Sequence, residues 1–306
     1  MNIHVPVPCK GKLNNKVPVP VPCKGEVLVR VRAASINPGD WKVQSGLIPF
    51  LPRRFPATAG YDLAGNVVAV GPGVTKYSVG DAVFGRAPFF KMGALAQYAI
   101  LETAGSAHKP YSLTFESAAA LPVGLTALEA VRDGAGLLLP ASPEEPKPGK
   151  QLFASSTTSP SPVISLSAPA AAQVASSADP PIAGLYDAVI DCSPNSLAVS
   201  AVDRVLRPQG RWVHVELPLS LLALGLWRRL ALRPKKLYPV LMVNGEGDLE
   251  VVGRMAEEGK VKVVVESSVA FEEAREAWRS MGGHVTGKVV VKMGVKGFLY
   301  WYDDYS

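Results

Sequence analysis

The chain has 306 residues, of which 48% are hydrophobic, and a formal net charge of +6. This length allows two domains or one large domain, and this hydrophobic content is enough to build their cores, which excludes a chain that is disordered throughout. The Lys and Arg residues are scattered along the sequence and form no single basic stripe, so the charge gives no support to a nucleic-acid partner.

The heptapeptide VPVPCKG occurs at residues 5–11 and again at residues 19–25. One repetition is too few for a solenoid, which needs about three stacked units, and we interpret residues 1–20 as a flexible, Pro-rich leader. The leader has no apolar signal-peptide core and no Ser- and Arg-rich transit-peptide character. We therefore expect no cleavable signal and a protein of the cytoplasm or chloroplast, either soluble or peripheral to a membrane.

The next segments have the pattern of short strands. Residues 26–34 alternate apolar and charged side chains, which predicts a half-buried strand, and the following Asn-Pro-Gly-Asp predicts a turn. Residues 62–85 contain two strand-like runs separated by Gly-Pro-Gly and Val-Gly-Asp turns, and residues 93–102 continue the pattern. Together these segments predict a compact β-barrel.

Residues 115–131 predict a helix that Pro122 kinks or breaks. The composition then changes, because residues 139–184 are rich in Pro, Ser and Ala and have almost no strand or helix period. Such a composition is typical of a linker or of a disordered segment.

Order resumes with a βαβ pattern. Residues 186–192 predict a fully buried strand, residues 193–210 an amphipathic helix that ends at Pro208, and residues 211–217 a second strand. The remaining elements are a helix at 249–261, a strand at 261–269, a helix at 271–283 and a strand at 284–293. Residues 294–306 form a tail that the pattern assigns to no element.

Several of these segments, in this order, resemble one family. They are SINPGDWKVQSG, FPATAGYDLAGNVVAVGPGVTKYSVGDAVFG, AAALPVGLTALEAV, YDAVIDC, LRPQGRWVHV and HVTGKVVV. The set resembles the zinc-independent quinone or enone oxidoreductase branch of the medium-chain dehydrogenase/reductase superfamily, including the plant plastid-envelope quinone oxidoreductase homologues.

The resemblance implies an α/β plus β fold with two domains. A GroES-like β-barrel domain, residues 21–122 and 268–293, would hold the substrate, and a truncated Rossmann-like domain, residues 123–267, would bind NADPH. The implied reaction is hydride transfer to a quinone or to the C=C bond of an α,β-unsaturated carbonyl compound. Oligomeric state stays open, a homodimer included.

The resemblance also assigns site residues in the first domain. Lys42 would lie beside the nicotinamide and the substrate carbonyl, where a cation stabilises the negative charge that develops on the oxygen; the alternative is a solvated lysine at a strand end. Tyr61 would donate a proton or line the pocket wall. Asn37 would shape the cofactor pocket together with Asp40, although Asn and Asp also favour turns through local hydrogen bonds.

Further cofactor contacts follow from the same resemblance. The Thr126 hydroxyl would approach the nicotinamide amide or else bond to its own backbone, and Cys192 would border the cofactor or act as a small buried hydrophobe. Leu217 would contact the carboxamide through its backbone. Thr286 and Lys288 would lie where the chain returns to the cofactor, although Lys288 also suits an exposed strand edge.

No zinc is expected, because Tyr61 and Asp62 stand where the zinc-dependent relatives carry a His-Glu pair. The three cysteines of the chain are also too few for a four-thiolate zinc lobe. Asp62 would then be a structural carboxylate that accepts hydrogen bonds, and the four histidines would be structural.

One part of the family pattern is missing. The sequence contains no G-x-G-x-x-G motif, and residues 151–185 occupy the place where a Gly-rich turn should follow the strand that begins near Lys150. This segment is too short for about two strand-helix repeats, so we expect a Rossmann sheet without its first strands and with weakened NADPH binding. A natural deletion or altered splicing and a reading-frame error both explain the gap.

The missing cradle leaves a second function open. The chain would then be a non-catalytic GroES-like binding module, or a protein held at a membrane surface by the amphipathic segment 219–232.

Overall fold

The structure is a computed structural model that describes residues 2–3, 17–45, 58–88, 91, 93–136, 152–155, 186–192, 199–215, 236–240, 245–280 and 287–294. The chain divides into two compact units, unit 1 with residues 1–123 and 245–306 and unit 2 with residues 124–244. The first division falls next to the expected domain boundary after residue 122. The second precedes the expected return at residue 268, because the helix that begins at Asp248 packs on unit 1.

Thirteen strands are described. Their bounds are β1 (Asn2–Ile3), β2 (Val17–Pro18), β3 (Glu26–Ile36), β4 (Asp62–Val70), β5 (Ala82–Arg86), β6 (Tyr98–Glu102), β7 (Ser106–His108), β8 (Leu152–Ser155), β9 (Tyr186–Asp191), β10 (Leu206–His214), β11 (Lys236–Pro239), β12 (Val265–Ala270) and β13 (Lys288–Lys292).

Six α-helices are described. Their bounds are α1 (Pro38–Ser45), α2 (Phe115–Ala120), α3 (Gly124–Glu129), α4 (Val199–Val205), α5 (Asp248–Glu257) and α6 (Ala274–Ser280). The predicted break at Pro122 is confirmed, since the 3₁₀ turn Leu121–Val123 separates α2 from α3, and a π-helical turn, Ala130–Gly134, follows α3.

Unit 1 is built on a seven-stranded sheet. The strand order is β12-β13-β3-β4-β5-β7, with β6 paired to β3, and every pairing except the parallel β12-β13 pair is antiparallel. Between the described strands no pairing joins β12 to β7, so they form an open path and not the closed barrel that the sequence predicted. The core lies on β3 and its neighbours, where Val29, Val31 and Leu63 are fully buried.

Close contact between β3 and β4 depends on Gly65. A Cβ atom at this position would lie 2.1 Å from the carbonyl oxygen of Arg30, far inside van der Waals contact. Only glycine therefore fits here, and β3 can pass β4 with the register shifts that the pairing shows.

The predicted leader is not wholly irregular. Asn2 and Ile3 pair with Pro18 and Val17 as an antiparallel two-stranded sheet, β1-β2. The rest of the leader and all of the tail after Gly294 lie outside the described residues.

Unit 2 contains a parallel sheet in the order β11-β10-β9-β8. In the Rossmann order 3-2-1-4-5-6, this arrangement corresponds to strand 1 beside the mononucleotide-binding half 4-5-6. The burial of β9, in which only Asp187 is partly exposed, confirms the fully buried strand that the sequence predicted.

Two predictions for unit 2 were wrong. Residues 152–155 form β8, so the segment 139–184 is not a linker throughout and the sheet keeps its first strand; the rest of that segment lies outside the described residues. The helix predicted to end at Pro208 ends at Val205, and Pro208 lies in β10. Proline is tolerated there because the β9-β10 pairing has a register irregularity between Leu206 and Arg211.

Lys76 links helix α5 to the rest of unit 1. The Lys76 ammonium donates hydrogen bonds to the carbonyl oxygens of Thr103, at 3.1 Å, and Ser106, at 2.7 Å, and forms an ion pair with Glu250 on α5. A second link joins the same surfaces, because the Tyr111 amide donates to the Glu257 carboxylate at 3.2 Å. These contacts explain why residues 245–257 belong to unit 1.

The Lys76→Met substitution is expected to destabilise the protein. It removes two hydrogen bonds from a charged donor and one partly exposed ion pair, a loss of about 1–3 kcal/mol in the free energy of unfolding measured by urea denaturation. The matched control is Lys260→Met, because Lys260 pairs with Glu258 while both side chains are about half exposed, and a loss below about 0.5 kcal/mol is expected there. Equal losses in the two variants would contradict this role for Lys76.

Candidate functional site

Four strand ends of unit 1 meet at one end of its sheet. Because β3 runs antiparallel to β4 and to β13, and β4 runs antiparallel to β5, the end of β3 lies beside the starts of β4 and β13 and near the end of β5. In this register Asp62 is opposite both Ser35 and Arg86. The side chains gathered here form what we call the buried polar cluster: Asn37, Asp40, Asp62, Arg86 and Lys288.

Asp62 is the centre of the buried polar cluster. It is fully buried, and its Oδ2 accepts a hydrogen bond from Asn37 Nδ2 at 2.8 Å. The Lys288 ammonium, which is also buried, donates to Asn37 Oδ1 and lies 3.9 Å from Asp62 Oδ2. Arg86 Nε lies 3.6 Å from Asp62 Oδ1. Asp62 therefore lies between two cations, as expected for a structural carboxylate.

Asp40 joins helix α1 to this cluster. Its Oδ2 accepts a hydrogen bond from the Asn37 amide at 2.7 Å, and its own amide donates to the Asn37 carbonyl oxygen at 3.0 Å. These bonds close the first turn of α1, so the Asn-Pro-Gly-Asp segment starts a helix and is not a simple turn, which corrects the prediction. The fully buried Asp40 Oδ1 has no hydrogen-bond partner among the described residues.

The electrostatics of the cluster follow from this burial. Loss of water and then the charge of Asp62 raise the pKa of Asp40 from its ordinary 3.8 to about 7, against the opposing effects of the Asn37 amide, Lys288 and Arg86. Burial also lowers the pKa of Lys288, although Asp62 and Asp40 oppose this shift. Asp40 consequently keeps a proton near neutral pH far more readily than an exposed aspartate.

The structure places four of the predicted site residues on or beside this end of the sheet: Asn37 in the buried polar cluster, and also Lys42, Tyr61 and Lys288. Lys42 lies on α1, two residues beyond Asp40, and not at a strand end; its side chain lies outside the described part. Tyr61 precedes β4 and is buried, and this burial together with the charge of Asp40 raises the pKa of its phenol above the ordinary value. Lys288 is buried, so the alternative of an exposed strand edge was wrong.

The second group of interest lies at the carboxyl edge of the unit 2 sheet. The pairings align Ser155, Asp191, His214 and Pro239 in one row across the ends of β8, β9, β10 and β11. Asp191 and His214 are both buried, with His214 Nε2 3.6 Å from Asp191 Oδ2. Sequence reasoning treated His214 as structural and missed Asp191, although both lie within predicted strands, and in the structure each is the last residue of its strand.

Of the other predicted cofactor residues, the structure describes Cys192 and Thr126. Cys192 follows β9 and packs against the core of unit 2; burial and then the charge of Asp191 raise the pKa of its thiol to about 11, which favours the small-hydrophobe interpretation over reactivity. Thr126 is half-buried on α3. Leu217 and Thr286 lie outside the described residues.

The unit 2 sheet fits a dinucleotide at its carboxyl edge. In open parallel sheets, ligands bind in the crevice outside the carboxyl ends of the strands, and here these ends carry Asp191, Cys192 and His214. The residues that would hold the pyrophosphate follow β8, in the range 156–185, and lie outside the described residues. Among the residues that the structure describes, no group of three or more His, Cys, Asp or Glu side chains could hold a metal ion.

Comparison with known proteins gives the family. The family described as "Alcohol dehydrogenase GroES-like domain" matches residues 23–111, and the one described as "Zinc-binding dehydrogenase" matches residues 170–291. The chain is 32% identical over 309 residues to a chloroplast envelope quinone oxidoreductase homolog of Arabidopsis thaliana, an alignment that covers 90% of this chain and 92% of the relative. The chain belongs to the medium-chain dehydrogenase/reductase superfamily.

Other members of the superfamily support the same assignment. The chain is 30% identical over 327 residues to the chloroplastic quinone-oxidoreductase QR1 of Triphysaria versicolor, covering 95% of this chain and 93% of the relative. Among solved structures, the quinone oxidoreductase from Coxiella burnetii superposes with a TM-score of 0.75 at 23% identity, over 91% of this chain and 94% of that one. The family and its GroES-like and Rossmann-like domains are thereby confirmed, and the chain is an oxidoreductase by family.

In the described ranges, no helix is long and apolar enough to cross a bilayer. Residues 219–232, where an amphipathic helix was predicted, lie outside those ranges.

Lys288→Met is expected to lower the free energy of unfolding by about 3–5 kcal/mol, because it removes one partner of a buried ion pair and leaves the other with less compensation. Urea denaturation measures the loss. The matched control is Lys292→Met on the same strand, since Lys292 is exposed, and a change within about 0.5 kcal/mol is expected. A similar effect of both substitutions would rule out a buried ion pair as the cause.

Asp40 is expected to make stability fall as pH rises. Between pH 3.8 and about 7 the folded protein keeps a proton on Asp40 that the unfolded chain has lost, so the penalty grows through this window and is complete above it, at about 4 kcal/mol. The Asp40→Asn variant cannot ionise here. Its stability relative to the native protein should therefore rise between pH 4.5 and pH 8 in urea denaturation, and a pH-independent difference would contradict the raised pKa of Asp40.

Proposed function

We propose that this protein is an NADPH-dependent oxidoreductase that reduces a quinone or the C=C bond of an α,β-unsaturated carbonyl compound. The observation that carries the proposal is the parallel sheet β8-β9-β10-β11, which has the order of strands 1-4-5-6 of a Rossmann sheet, in a chain that also contains the GroES-like domain. The quinone is proposed from the names of the Arabidopsis and Triphysaria relatives.

The cofactor, when bound, supplies the hydride. The residues that would hold it are the predicted Thr126, Cys192 and Leu217 of unit 2, with Thr286 and Lys42 on the substrate side. Asn37 and Lys288 were also expected at the cofactor. Their polar groups bond to each other and to Asp62, which supports an indirect role in holding the segment that carries Lys42.

Lys42 would act on the substrate oxygen. When a hydride reaches a quinone or the β-carbon of an enone, negative charge develops on the carbonyl oxygen, and a nearby ammonium group lowers the energy of that state. The first turn of α1, two residues before Lys42, is bonded to the buried polar cluster. Anchoring of this kind preserves the position of a catalytic side chain between one turnover and the next.

One proton must be added to the substrate for each hydride. Tyr61, to which the family resemblance gives this role, is our candidate for its source; its side chain is buried, and this burial raises the pKa of the phenol. The same shift makes Tyr61 a weak acid, so its action requires the substrate oxygen to become strongly basic in the reaction.

We further propose that NADPH binds this chain weakly. Between β8 and β9 lie only residues 156–185, too few for the strand-helix repeats that a complete Rossmann half contains. Their sequence, rich in Ser, Pro and Ala, has no Gly-rich turn for the pyrophosphate. A chloroplast location is proposed from the names of the two plant relatives.

The activity test follows NADPH oxidation with a benzoquinone, a naphthoquinone and an α,β-unsaturated ketone as separate acceptors. Saturable turnover is expected with at least one acceptor, and Lys42→Ala should lower kcat about 10²–10³-fold because it removes the charge opposite the developing oxyanion. Lys42→Arg should retain part of the rate. Lys24→Ala is the matched control, since Lys24 is exposed, and its kcat should not change.

Titration of the purified chain with NADPH, followed by fluorescence, separates the alternatives. Weak but saturable binding supports the proposal. Absence of saturable binding removes the enzymatic function from this chain and leaves the non-catalytic binding module.

A further inference from the structure

Two buried carboxylates of unit 1 share one set of cations. Asp40 and Asp62 are both fully buried, and the charged groups that face them are Lys288 from β13 and Arg86 from β5, with the phenol of Tyr61 next to Asp62 in the chain. Asp62 contacts both cations directly, whereas Asp40 has the Asn37 amide on one oxygen and no hydrogen-bond partner among the described residues on the other. An ionised Asp40 would therefore be poorly compensated.

The Asp40 carboxylate also determines the geometry of the first turn of α1. Its Oδ2 closes the first turn of the helix by accepting from the Asn37 amide, and Asn37 is the residue that bonds to Asp62 and Lys288. If Asp40 were ionised, its negative charge would repel the carboxylate of Asp62. The segment that would move in response is the first turn of α1, the helix that continues to Lys42.

We propose that Asp40 is a positioning residue whose carboxyl group carries a proton in the working state, and that loss of this proton displaces the first turn of α1 and slows the reaction. The effect on rate rests on the proposed function. The effect on α1 does not, because the contacts that produce it lie within unit 1.

The first test is the pH profile of the reaction. In the native protein, kcat should fall above a midpoint near pH 7, in agreement with the raised pKa of Asp40, by up to about tenfold per pH unit if only the protonated form works. KM should change less than about twofold, because α1 acts on the rate through Lys42.

The Asp40→Asn variant decides the interpretation of this profile. Asparagine keeps an oxygen that accepts from the Asn37 amide but cannot ionise, so kcat should stay constant across the range in which the native rate falls. Asp40→Ala, which lacks the acceptor, should be slower than Asp40→Asn at every pH. A profile of Asp40→Asn that superposes on the native profile would overturn the proposal.

A matched control exists in the same unit. The Asp81 carboxylate accepts a hydrogen bond from the Ser78 amide, also three residues earlier, at 2.8 Å, but this bond is exposed to solvent. Asp81→Asn should therefore leave the pH profile unchanged. Loss of the alkaline fall in this variant as well would show that a general effect of removing negative charge is responsible, and would overturn the role of Asp40.

The second test needs no turnover. Trp41 follows Asp40 in α1, and fluorotryptophan at this position, assigned with a Trp41→Phe variant, reports the surroundings of the helix by ¹⁹F NMR. Its signal should shift with a midpoint near pH 7 in the native protein and stay fixed in Asp40→Asn. If the signal does not titrate in either protein, the proposal is wrong even when the chain is an active oxidoreductase; if it titrates in a chain without activity, only the proposed function fails.

Discussion

The buried pair of Lys288 and Asp62 is the interaction on which the candidate site depends. Lys288 begins β13, the strand that brings the distant C-terminal part of the chain back to β3, and Asp62 begins β4. Asn37 lies between them and bonds to both. One small polar group thereby ties three chain segments together at the end of the sheet where helix α1 begins.

Burial gives this arrangement its chemical character. In a low-dielectric interior, the cost of an uncompensated charge is far greater than at the surface, so a cluster with two carboxylates, one lysine and one arginine is stable only in a few protonation states. Asp62 forms ion pairs with both cations, and Asp40, whose pKa is raised, carries a proton. The protonation of Asp40 makes α1 sensitive to pH, because Asp40 belongs both to the cluster and to the first turn of the helix.

Unit 2 contains four parallel strands of a Rossmann-like sheet. Strand β8 remains, in parallel with β9, and the carboxyl edge still carries polar residues. Only thirty residues, 156–185, separate these two strands, whereas in a full Rossmann domain the chain between the corresponding strands contains further strand-helix repeats. The weak NADPH binding that we propose is compatible with this sheet, because strands β8 to β11 pair with one another through backbone hydrogen bonds.

The sequence by itself determined the family, the two domains and most of the strands, because ordered motifs and apolar periodicity are local properties that a linear pattern records. It also determined that the chain contains no G-x-G-x-x-G motif. Only the tertiary structure decided that Asn-Pro-Gly-Asp starts a helix, that residues 152–155 form a strand and that Lys288 is buried beside Asp62. The last two features depend on partners far away in sequence: β9 for residues 152–155, and Asn37 and Asp62 for Lys288. No local pattern carries that information.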